Sequence, residues 1–118
     1  MKNILINNQS GRDDAEKATI AMTIANVSST KDCETVMFLT CGGVDLARKG
    51  GIEGLHLDGY RGVEDLQSEY LNNGGSFWVC KACADAKGIT QEDLIDGARL
   101  AVASDTIDYL ERGAQVLT

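Results

Sequence analysis

The sequence has no proline and a single histidine, His56. Without proline, its loops and helix starts rest on glycine, asparagine, serine and aspartate instead. His56 has no Asp or Glu at fixed ligand spacing, so it reads as a surface or packing residue. Basic residues are also scarce: eleven against eighteen acidic ones leave a net charge of −7. Nucleic acid and anionic membrane surfaces need a basic patch and are excluded as partners. The acidic balance suits a soluble protein or one with a basic protein partner. No apolar run approaches the ~20 residues that cross a bilayer. The start, Met1 to Asn8, has too short an apolar core for a secretory signal. The chain reads as cytoplasmic, where thiols stay reduced. Its four cysteines therefore do not suggest a disulfide scaffold.

What is present reads as one domain, residues 1–118, long enough for one core. Lys2–Asn7 is a first strand. Asp13 or Asp14 caps a helix through Ala25, with Ala18, Ala21, Met22 and Ala25 at helical spacing; 28–32 is a loop. Glu34–Leu39 is a second strand, rich in β-formers. A turn at Thr40–Gly43 leads to a short helix, Val44–Lys49, closed by Gly50-Gly51. Leu55 and Leu57 alternate around His56, which suits a short strand. Gly62–Leu71 is an amphipathic helix, and Ser76–Cys80 a strand running into a further helix stopped by Gly88. Thr90 caps a helix start over Gln91–Ile95. Arg99–Ala103 is extended, 104–112 helical, and Gln115–Thr118 a last strand. Strands alternating with helices mean a parallel sheet covered on both faces, and reactive groups gather beyond the carboxyl ends of such strands. Gly11, the Thr40–Gly43 turn and Cys80 all fall at that edge.

Cys80 carries the chemistry. A thiol between a strand and a helix start meets unpaired N–H groups that favour the thiolate, the nucleophilic form. The plain alternative is a pair of small, half-buried packing residues. Cys83, three positions on, shares a helical face with Cys80 and makes a C-x-x-C pair, one use of which is dithiol–disulfide exchange. On a regular helix the i and i+3 Cβ atoms stand ~5–6 Å apart, wider than the ~3.5–4.5 Å of a disulfide, so the first turn must flex. A zinc site would need Cys33, Cys41 or His56 to complete the pair, but Cys33 and Cys41 bracket a strand and point to opposite ends. Cys41, on the same edge as Cys80, either approaches it or fills a small turn position. Gly42-Gly43 lacks the spacing of a nucleotide-binding loop and reads as turn. Phe77-Trp78 reads as core or subunit interface.

Val79-Cys80-Lys81-Ala82-Cys83-Ala84, followed by Gly88-Ile89-Thr90 and Asp93-Leu94, resembles the DsrE/DsrF-like proteins. So do Asp13-Asp14-Ala15-Glu16-Lys17-Ala18, Phe38-Leu39-Thr40 with Gly43-Val44, Ala47-Arg48-Lys49-Gly50-Gly51 and Ala114-Gln115-Val116-Leu117. The resemblance spans nearly the whole chain. It implies an α/β fold: a three-layer α/β/α sandwich with a mainly parallel sheet of about five strands. It also implies assembly into a homo-oligomer, a trimer or hexamer, and sulfur relay. In that role Cys80 accepts a sulfane sulfur as a persulfide from a donor protein and passes it to an acceptor, as a sulfurtransferase or sulfur carrier. No metal or organic cofactor is implied. The chain departs from relay members at Cys83, where they carry a small non-thiol residue. A second thiol there could attack the Cys80 persulfide, releasing sulfide and leaving a disulfide. Two other readings stay open: a dithiol redox protein using Cys80 and Cys83, and a non-catalytic oligomeric module binding a small ligand or partner at the same edge.

Overall fold

A computed structural model describes residues 2–118. Five strands form one sheet: β1 (Lys2–Asn8), β2 (Cys33–Leu39), β3 (Ser76–Cys80), β4 (Ala98–Ala101) and β5 (Gln115–Leu117). Their spatial order is β4-β3-β2-β1-β5, and every pairing is parallel. From β1 to β4 the chain steps along the sheet in one direction. Right-handed crossovers therefore put α1 (Ala15–Ser29), α2 (Val63–Asn72) and α3 (Lys81–Lys87) on one face. The last crossover returns from one edge to the other, so α4 (Ala103–Glu111) covers the opposite face.

Side-chain alternation along the strands divides the core accordingly. Ile6, Met37, Leu39, Phe77 and Val79 pack with Ala18, Met22, Leu66 and Tyr70 of α1 and α2. Leu5, Val36, Phe38 and Trp78 pack against Tyr109 and Leu110 of α4. The Phe77-Trp78 pair thus serves both layers. The Phe77 ring meets Tyr70 at 5.0 Å, and the Trp78 ring meets Tyr109 at 5.4 Å. The buried Tyr70 hydroxyl donates to the Ser76 carbonyl (2.6 Å) and accepts the Ser76 N–H (3.1 Å), which ties α2 to the start of β3. Burial also raises its pKa.

Several elements differ from the expectations above. Asp14 is the cap of α1, accepting from the Lys17 N–H; Asp13 instead accepts from Gly11 N–H in the preceding turn. Helix α1 runs on through Ser28 and Ser29 because Ser29 Oγ donates back to the Asn26 carbonyl and Ser28 bonds the Thr35 hydroxyl, giving the polar tail partners. The helix expected at Val44–Lys49 is a 3₁₀ segment over Cys41–Leu46, and Arg48 leaves it to bridge Leu94. No strand forms around His56. Turn bonds occupy that backbone, with Tyr60 N–H on the Leu57 carbonyl and Val63 N–H on the Leu55 carbonyl, while Leu55 packs into the core. Thr90 and Asp93 do make a reciprocal cap, but the helix ends at Asp93 after a single turn. Its Gln91 side chain is drawn to the outer edge of β4. There Gln91 Nε2 donates to the Ala98 carbonyl (3.0 Å), and Leu100 N–H donates to Gln91 Oε1 (2.9 Å).

Candidate functional site

The register of the sheet builds the site. Asn8 aligns with Leu39, and Leu39 with Val79, so β1, β2 and β3 end at one level. The loops that follow, from Gln9, Thr40 and Cys80, converge there. Gly43 is needed for this convergence: a Cβ on it would stand 2.3 Å from the Asn8 carbonyl oxygen. Thr40 N–H donates to that same oxygen, stapling the end of β2 to the end of β1.

Cys80 is the last residue of β3 and the N-cap of α3, with φ −56° and ψ 117°. It stands outside the helix. The i, i+3 spacing of a regular helix therefore does not by itself fix its distance from Cys83. Gly88 closes α3 in the left-handed conformation, φ 71°, and holds it to seven residues.

Cys41 joins the pair. Its backbone N–H donates to Cys83 Sγ at 3.4 Å, across 42 residues of sequence. Three cysteines, following two adjacent strand ends, are thus gathered at the carboxyl edge of the sheet. Cys41 is exposed, while Cys80 and Cys83 are half-buried. The Cys41 N–H is the largest single influence on Cys83 and favours its thiolate. Burial and the neighbouring Cys80 and Cys41 groups together outweigh it, and the Cys83 thiol is held above its ordinary pKa. Beside them, Thr40 Oγ1 is buried with no hydrogen-bond partner among the described residues.

The remaining candidates lie apart from this cluster. Cys33 opens β2 at the amino edge of the sheet. His56 is exposed and bonds the Tyr60 carbonyl through Nε2. Among the described residues no group of three or more His, Cys, Asp or Glu side chains is arranged to hold a metal ion. No helix among them is long and apolar enough to cross a membrane. Edge placement in the sequence put Cys41 and Cys80 on one side; the contact with Cys83 depends on β2 and β3 being neighbours, which no local motif encodes.

The fold and this edge define a small α/β protein with a parallel five-stranded sheet and a thiol cluster at the strand ends. The chain belongs to the DsrE/DsrF-like family, whose profile matches residues 2–118. Among its relatives is uncharacterized protein MJ0989 of Methanocaldococcus jannaschii, 30% identical over 103 residues that cover 87% of each chain. Uncharacterized protein MJ0760 of the same organism is 28% identical over 109 residues, 92% of this chain but 40% of that protein. The chain therefore spans less than half the length of that relative. Among solved structures, protein MTH1491 of Methanobacterium thermoautotrophicum superposes with a TM-score of 0.75 at 15% identity, covering 99% of this chain and 98% of that one. The ychN protein of E. coli does so with a TM-score of 0.69 at 15% identity, covering 99% of each. These two share the fold.

Proposed function

We propose that the protein handles sulfane sulfur through Cys80 as a persulfide carrier or transferase working within a homo-oligomer. The observation that carries this reading is the meeting of Cys41, Cys80 and Cys83 at the carboxyl edge of the sheet in a DsrE/DsrF-like chain. Cys80 thiolate attacks the terminal sulfur of a donor persulfide, the donor leaves as its own thiolate, and Cys80 holds the sulfur. An acceptor thiolate then takes the terminal sulfur and Cys80 leaves as thiolate. Sulfur donor and acceptor proteins are the partners, and the steps consume no metal, nucleotide or organic cofactor. Exposed Ile107 and Val116 on the α4 side, and Ile20, Ile24 and Val27 along α1, support burial between subunits, as a trimer or hexamer.

The test is the intact mass after exposure to a sulfane-sulfur donor. The expected result is one added sulfur per subunit on Cys80, brief in wild type and lasting in Cys83→Ala, removed by a reductant. No added sulfur on Cys83→Ala, or the same gain on Cys80→Ser, overturns the reading. The extended backbone of Cys80 favours one second reading, dithiol–disulfide exchange between Cys80 and Cys83. A reversible Cys80–Cys83 disulfide in wild type, with no added sulfur on Cys83→Ala under the same conditions, is its signature.

A further inference from the structure

The three thiols of the cluster are not equivalent. Cys41 is the exposed one, and its φ of 52° is the only left-handed conformation of a non-glycine residue among the described residues. Such a conformation costs on the order of 1–3 kcal/mol and persists where the surroundings hold it. Here the surroundings are the Asn8–Thr40 staple before it and the Gly42-Gly43 turn after it. The result is an N–H set 3.4 Å from Cys83 Sγ. With an N–Cα bond of about 1.46 Å, the Cys41 Cα then lies within about 5 Å of that sulfur, a gap its own side chain can close.

We propose that Cys41 is a third working thiol of this site and takes Cys83 from Cys80 by thiol–disulfide exchange. The proposal rests on the sulfur-handling reading above. A persulfide on Cys80 is first resolved by Cys83. The Cys83 thiolate attacks Cys80 Sγ, the bond from Cys80 to the sulfane sulfur breaks, and hydrosulfide leaves with the electron pair. The sulfane sulfur is thereby reduced to sulfide, and the two cysteines are oxidised to the Cys80–Cys83 disulfide. The Cys41 thiolate then attacks Cys83 Sγ. The Cys80–Cys83 bond breaks, the Cys41–Cys83 bond forms, and Cys80 departs as thiolate. This second step needs no oxidant, since one disulfide replaces another; the protons of the Cys83 and Cys41 thiols go to solvent. Cys80 is free to accept again, and the oxidised pair rests on the exposed Cys41, where an external dithiol reductant can reach it.

The experiment follows disulfide pairing in the full chain in two arms, one with inorganic polysulfide and one with oxidised glutathione, a plain two-electron oxidant. Samples are blocked with N-ethylmaleimide over time and mapped without reduction. Cleavage after Lys81 separates Cys80 from Cys83, and cleavage after Glu34 separates Cys33 from Cys41. The expected result in both arms is an early Cys80–Cys83 link replaced by Cys41–Cys83, with Cys41→Ser stopping at Cys80–Cys83. Cys83 linked only to Cys80 at every time, or only to glutathione, overturns the proposal on wild type alone, whatever the variant does. If polysulfide adds no sulfur to Cys80 even in Cys83→Ala, while glutathione still yields Cys41–Cys83 in wild type, the carrier reading fails and the role of Cys41 stands.

Discussion

The backbone N–H of Cys41 donates to the sulfur of Cys83 over 3.4 Å, joining the end of β2 to the first turn of α3. That sulfur nonetheless keeps its proton more firmly than a free cysteine does, because burial and the adjacent Cys80 and Cys41 groups oppose its ionisation. A raised thiol pKa means the unreactive thiol prevails at neutral pH and the thiolate appears only as pH rises beyond the free-cysteine range. Cys83 is therefore expected to be the slowest of the three clustered thiols toward iodoacetamide at pH 7, with its rate climbing only above the ordinary cysteine range. Brief alkylation across pH with peptide mapping measures this. Cys83 labelling fastest at pH 7 would contradict it.

On the sulfur-handling reading proposed above, Cys83 sets the lifetime of the persulfide on Cys80. Cys83→Ala is expected to hold sulfur on Cys80 at least several-fold longer than wild type, since the nearest attacking thiol is gone. Truncating this half-buried side chain costs about 1 kcal/mol of stability, within the common range for point mutants. Mass spectrometry over time reads the lifetime. Equal lifetimes, with no internal disulfide in either protein, would make Cys83 a packing residue.

Tyr70 offers a test of the scaffold. Tyr70→Phe keeps the ring against Phe77 but removes the hydroxyl that serves both backbone groups of Ser76. A buried N–H left without its acceptor costs about 1–3 kcal/mol. Urea unfolding is expected to show a loss of that size with an unchanged m-value. A loss near zero would mean that the start of β3 finds other partners.

Gly43→Ala probes the convergence of the loops. The added Cβ would lie 2.3 Å from the Asn8 carbonyl oxygen, so backbone must shift. Strain of this kind in a packed region costs about 1–3 kcal/mol. The Cys41–Cys83 approach should loosen with it, and losing the N–H that favours the Cys83 thiolate would appear as slower alkylation of Cys83 at neutral pH. Unchanged stability and unchanged labelling together would show the turn to be more tolerant than its geometry implies.

Assembly is tested by light scattering at micromolar concentration. The expected mass is a threefold or sixfold multiple of the 12.6 kDa chain. A monomeric mass would leave Ile107 and Val116 facing water and refute the homo-oligomer.

The parts of this fold that were readable from sequence share a physical cause. The strands at Glu34–Leu39 and Ser76–Cys80 are short β-forming runs ended by turn residues or a helix start, and Gly88 stops α3 where a left-handed residue is required. Local chemistry decides such features. The Gly50-Gly51 stop suits a short helix over Val44–Lys49, whereas Cys41 and the Gly42-Gly43 turn bend the backbone into a 3₁₀ segment. The Leu55–Leu57 alternation looked like a strand, yet its backbone is used up in local turns. The carboxyl-edge placement of Cys41 and Cys80 followed from strand–helix alternation alone. The Cys41–Cys83 contact did not, because strand order is a tertiary fact: it depends on Leu39 pairing with Val79.

The Gln91 side chain on the rim of β4 decides how this sheet can meet another. Its amide mimics one residue of a sixth strand, holding the Ala98 carbonyl and the Leu100 N–H, while Arg99 Nη1 takes the Leu100 carbonyl. The groups on which an incoming chain would template itself are thus already occupied. The opposite rim, β5, is three residues long. Open-ended growth by edge-to-edge pairing needs two receptive rims on every molecule. This molecule offers at most one, so fibre-like propagation of the sheet is blocked at the first addition, and association is left to its helical and apolar faces.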